Sequence, residues 1–143
     1  MMGFHMGAIF SIHLAVTWLL TGLIWMIQLL VYPQFLRVGA QEFARYHWAH
    51  CVRIGLIVAP LLAIEAATAG WLLLQGQRGL PFVLSLALIP AVWLSTALFQ
   101  APLHTKLMRG LRTDVVRRLM LTNWMRTLAW TARGVLLSCT IQG

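Results

Sequence analysis

The chain has 143 residues, the length of one domain, yet 60% of them are apolar, only 10% are charged, and the mean hydropathy is +0.80. Soluble domains carry about 45–50% and 25%, so a water-soluble globular protein is excluded and an integral membrane protein is indicated. The net charge of +8 does not point to nucleic acid, because most of the basic residues flank apolar stretches, where they set topology and meet lipid headgroups.

A first span is expected over 8–32, ending at Pro33. It is long enough to cross ~30 Å of hydrocarbon, and with no Lys or Arg ahead of it, it reads as a retained helix and not as a cleaved signal. His13, Thr17, Thr21 and Gln28 fall at steps of four, four and seven, which places them on one face that should turn inward. After Pro33, Arg37, Glu42, Arg45 and Arg53 alternate with Phe35, Phe43, Tyr46 and Trp48. Aromatic and basic residues together mark a membrane–water interface, so a loop and then an amphipathic interfacial lead-in are expected here.

The second span is expected over 50–74, with Pro60 removing one backbone hydrogen bond and kinking it. A short turn, QGQRG at 75–79, leads to a third span over 81–103. Pro102 should loosen its last turn, between Gln100 and His104. The main charge cluster follows, with Lys106, Arg109, Arg112, Asp114, Arg117 and Arg118, and then a fourth span over 119–141. The expected fold is therefore all-α: a four-transmembrane-helix bundle forming a single membrane domain over 1–143, without an internal repeat. The first and third connections hold nearly all the Lys and Arg, so both should face the cytoplasm and both termini the outer side. Cys51 and Cys139 then lie on opposite membrane faces and should not form a disulfide.

Glu65 is the costliest residue in this scheme, since a charge at bilayer depth carries at least ~2.5–3.5 kcal/mol on insertion scales and needs a partner. Arg133 is that partner. Glu65 lies fifteen residues beyond His50 and Arg133 fifteen beyond Arg118, or ~22 Å into each helix, so the two should meet as an ion pair. They are the candidate catalytic residues, although such a pair can equally serve to fix helix register.

A second constellation lies nearer the cytoplasm. His50 and His104 sit at similar depths on two helices and are candidate ligands for a metal ion or haem iron. Gln100, Asn123 and Arg126 are candidate cofactor-binding residues, Arg126 and Asn123 being suited to the carboxylates of a porphyrin or the oxygens of a quinone. His47 reads as an interfacial residue wetted by headgroups. No HExxH or CxxC spacing occurs.

His13-x4-Trp18-x3-Gly22 followed by Tyr32-Pro33-x-Phe35 resembles the first helix of small four-helix bacterial membrane proteins, among them the haem-binding membrane protoporphyrinogen oxidases and the copper-resistance type-D proteins. LFQAPLH (98–104) and TNWMRTLAWTARG (122–134) are similar to segments of an uncharacterised bacterial integral membrane family. The resemblance implies a bacterial inner-membrane location and adds His13 to the candidate haem ligands. The function expected from residues and resemblance together is a redox or cofactor-binding membrane protein carrying haem, a metal ion or a quinone. The alternatives are a non-catalytic subunit or scaffold of a larger membrane complex, and a small transporter. Its expected partners are the lipid bilayer and either further copies of itself or a larger complex.

Overall fold

The computed structural model describes residues 2–140, with side chains from residue 7. Four helical rods account for nearly all of it, and there is no strand among the described residues. The first rod is α1 (Met2–Met26), a π-helical turn (Ile27–Val31) and α2 (Tyr32–Phe35). The second is α3 (Ala40–Leu74). The third is α4 (Leu80–Ser95), a second π-helical turn (Thr96–Gln100) and α5 (Ala101–Leu107), and the fourth is α6 (Thr113–Cys139).

Three rods, Gly7–Phe35, Ala40–Leu74 and Leu80–Leu107, are long and apolar enough to cross a membrane. α6 falls short in apolarity, because one of its faces carries Asn123, Arg126, Thr127 and Arg133. The expected end of the fourth span, at residue 141, lies outside the described residues. The interfacial lead-in proves to be helical and continuous with α3, so the loop before it is reduced to 36–39. α3 also runs through Pro60 without a break in its helical assignment, where a kink is expected.

Proline acts instead in the first and third rods. Pro33 and Pro102 each lie two residues past a π-helical turn, and the Tyr32 and Ala101 amides bond to the carbonyls of Ile27 and Thr96, five residues back. A proline supplies no N–H and its ring clashes with the carbonyl four residues before it; the wider turn relieves both problems. The two rods thus repeat a feature that the residue pattern does not show.

α3 ends in a Schellman turn. The Gln77 amide bonds Leu72 O at 3.0 Å, the Gly76 amide bonds Leu73 O at 3.1 Å, and Gly76 takes φ +88°, a conformation glycine adopts without steric cost.

α1 packs against both α3 and α6, and α6 against α4 and α5; among the described residues the second and third rods do not pack closely on one another. Val16, Leu20, Ile24 and Ile27 of the first rod join Val116, Leu119 and Trp130 of α6 in the main core. The expected polar stripe turns inward with them: His13, Thr17, Thr21 and Gln28 are all buried. The arrangement leaves a cleft between the second and third rods, floored by α6.

Candidate functional site

At one end of the cleft, α3 presents His47, His50 and Cys51 at spacings of three and four, which is one helical face. α5 brings His104 against them. His47 Nε2 lies 3.2 Å from His104 Nδ1 and 3.5 Å from Cys51 Sγ, and Cys51 Sγ lies 3.7 Å from His104 Nδ1. Around a tetrahedral ion with metal–nitrogen and metal–sulfur bonds of ~2.05 and ~2.3 Å, two nitrogens stand ~3.3 Å apart and a nitrogen and a sulfur ~3.6 Å apart. The three donor atoms therefore already form one face of such a polyhedron. The two imidazoles turn these nitrogens toward one another at hydrogen-bonding distance.

The surroundings hold the rings in place. His47 is fully buried, stacked on Phe43 at 5.5 Å and 9° and edge-on to Phe35 at 5.2 Å. Its expected place among headgroups is therefore corrected: Phe35 and Phe43 cover it. His104 uses its other nitrogen, Nε2, to meet the Tyr32 hydroxyl at 3.2 Å, the kind of outer contact that fixes the orientation of a ligating imidazole. His50 stacks near both rings, 6.2 Å from His47 and 6.4 Å from His104 between centroids, but it is not one of the three residues whose donor atoms gather.

A cavity of about 340 Å³ adjoins this group and is lined by Tyr32, His50, Cys51, Gln100, His104 and Arg126. A second cavity of about 480 Å³ continues along the cleft between apolar walls and shares Arg126 with the first. Arg126 is held over the Trp130 ring, 5.3 Å from its centroid. Its Nη1 donates to Asn123 Oδ1 at 3.3 Å, and Asn123 Nδ2 donates in turn to Gln28 Oε1 at 2.8 Å.

The second constellation lies further along α3. The Arg133 Nη1 is hydrogen-bonded and ion-paired to Glu65 Oε1, with both side chains buried, and the Arg133 Nε donates to Ser85 O at 3.1 Å. Thr17 donates to Glu65 Oε1 at 3.4 Å, and His13 Nδ1 meets Thr68 Oγ1 at 2.8 Å. Residues from all four rods thus meet around one ion pair, at the common level that the depth count gives. Thr68 lies seventeen residues beyond Cys51 on α3, ~25 Å along its axis, so His13 belongs with this group and is not brought to His50 and His104.

Of the residues singled out in the sequence, His50, His104, Gln100 and Arg126 line one cavity, Asn123 stands behind Arg126, and Glu65 and Arg133 meet elsewhere with His13. His47, Cys51 and Tyr32 complete the first group without having been singled out as ligands. The signal was present as His47-x3-Cys51, two transition-metal donors one helical turn apart. In comparisons with known proteins, the chain matches no family model, no curated protein and no solved structure.

Proposed function

We propose that this chain is an integral membrane protein whose work centres on a transition-metal ion held by His47, Cys51 and His104 at one end of the cleft. The observation that carries the reading is the donor triangle, with sides of 3.2, 3.5 and 3.7 Å. Two imidazoles and a thiolate suit zinc or copper. Three protein ligands leave a coordination position free, and the lining of the adjoining cavity by Cys51 and His104 supports directing it there. Such an ion supplies Lewis acidity or, if copper, electron transfer. The protein's own part is orientation: Tyr32 sets the His104 ring, Phe43 and Phe35 lock His47, and Gln100 and Arg126 line the space where a bound molecule would be presented. The resemblance to copper-resistance and haem-binding membrane proteins is in keeping with a metal centre and a bacterial inner membrane.

In this reading α6 is the fourth span. Leu121, Met125, Leu128 and Val135 are exposed at steps of four, three and seven, a lipid-facing stripe that whole-helix hydropathy averages away. The basic residues around 36–39 and 108–112 support a topology with the metal end at the cytoplasmic surface and both termini outside. The Glu65–Arg133 group, tied to all four rods, acts in this reading as a register lock.

Metal analysis of the detergent-purified protein tests the proposal. About one ion per chain is expected, with a thiolate charge-transfer band after cobalt substitution, and His104→Ala and Cys51→Ser should each abolish both. Wild-type protein that takes up no zinc, copper or cobalt would sink the reading.

A further inference from the structure

Three residues that line the cleft, Arg126, Gln100 and Trp130, each carry a buried nitrogen donor without an acceptor: Nε, Nε2 and Nε1. Gln100 is 1% and Trp130 2% exposed, and buried groups of this kind are nearly always paired in native interiors. The Ser95 hydroxyl already satisfies the Gln100 carbonyl oxygen at 3.2 Å, which leaves the amide nitrogen free. All three groups are donors, so the complement they lack is an oxygen acceptor.

Charge narrows the chemistry. The chain has three acidic residues, and each is engaged: Glu42 with Arg45, Asp114 with Arg112, Glu65 with Arg133. Arg126 therefore has no carboxylate partner among the described residues. A guanidinium within a membrane span is stabilised by a counter-anion, and here such an anion would come from outside the chain. The cleft gives the shape of the molecule that would bring it. On one side of Arg126 is the cavity of about 480 Å³, walled by Leu62, Ala63, Trp93 and Ala97; on the other is the cavity of about 340 Å³ that reaches Cys51 and His104. Each is within the range of small-molecule sites, ~300–1,000 Å³. Arg126 stands where the apolar part meets the polar part.

We infer that the cleft binds a lipid-soluble carboxylate, with its carboxylate on Arg126 and Gln100 and its hydrocarbon body against Leu62 and Trp93. A quinone would satisfy the donors but leave the charge unbalanced. A phospholipid phosphate would balance the charge, but Arg126 lies eight residues beyond Arg118, ~12 Å deeper along the helix, below the headgroup plane at which a phosphate is anchored. The inference rests on the metal reading only in naming what would be presented to the ion; binding itself is tested with metal absent.

The experiment uses the full chain in phosphatidylcholine nanodiscs, stripped of metal, with tryptophan quenching by 9,10-dibromostearate compared with quenching by its methyl ester. The acid should bind saturably and about tenfold or more tighter than the ester, as expected for a charge-assisted contact. Arg126→Gln should remove that preference. Should this variant fail to fold, Arg126→Lys keeps the charge, loses the Nε donor and should lower the preference severalfold. Ala97→Phe, which fills the apolar cavity and keeps Arg126, should weaken acid and ester alike. Equal binding of acid and ester to the wild type, or an undiminished preference in the Arg126 variant, overturns the inference. Displacement of the acid by stoichiometric phosphatidic acid overturns the carboxylate assignment in favour of a lipid phosphate. His104→Ala should lose metal and keep the acid preference; a wild type that holds metal and shows no preference defeats this inference while leaving the metal centre standing.

Discussion

Among the described residues, Glu65 and Arg133 form the one ion pair whose two side chains are both buried. Glu65→Gln leaves a buried guanidinium without its counter-charge, and should destabilise the protein by about 3–5 kcal/mol, whereas replacing both partners by leucine should recover most of that loss. Unfolding in detergent, followed by circular dichroism, measures both, and equal losses in the single and double variants would show that the charge is not what matters. Glu42 and Arg45 form a pair of the same chemistry on an exposed surface, where its removal should change stability by less than ~1 kcal/mol. Tyr32 matters for a different property. Tyr32→Phe removes the hydroxyl that meets His104 Nε2 and should weaken metal binding by about 10–100-fold, with little effect on stability; competition against a chromophoric chelator reads this directly. The ion pair is legible in the sequence because depth along a helix follows from counting residues. The residues of the proposed metal site are less so, because His47 is removed from the interface by Phe35 and Phe43, and the count says nothing of which side chains from other segments will cover a ring.

Among the elements, α1 and α6 pack tightly where Trp18 lies over Gly134. A Cβ added at Gly134 would stand 3.0 Å from the Trp18 ring, so Gly134→Val should cost about 1–3 kcal/mol by overpacking. Gly134→Ala should cost less, because Trp18 is 42% exposed and its ring has room to yield; thermal midpoints of the two variants give the comparison. The inward face of α1 is legible from the steps between His13, Thr17, Thr21 and Gln28. The proposed membrane character of α6 is harder to read, since its polar residues share one face with the core and its apolar residues another, and an average over the helix mixes the two. The π-helical turns are not legible at all: Pro33 and Pro102 announce a disturbance, but whether a helix ends, kinks or widens there depends on what packs around it.

At the scale of the whole molecule, the proposed topology rests on the placement of basic residues. Cys139 is exposed and Cys51 half-buried at the other end. A membrane-impermeant maleimide added to intact cells should label Cys139 and spare Cys51; labelling of Cys51 alone would invert the proposed topology. After the membranes are opened, Cys51 should react faster once a chelator has been added, if it is a metal ligand.

A π-helical turn is what an α-helix becomes when one surplus residue is lodged in it. Excising a single residue from Thr96–Gln100 should therefore let the third rod close into an uninterrupted spiral with little change of direction downstream. The same excision from the regular turns of α4 would instead turn everything downstream by about 100° and carry the His104 imidazole away from Cys51. The proposed metal centre should survive the first deletion and be lost in the second, although all of its ligands are still encoded in both.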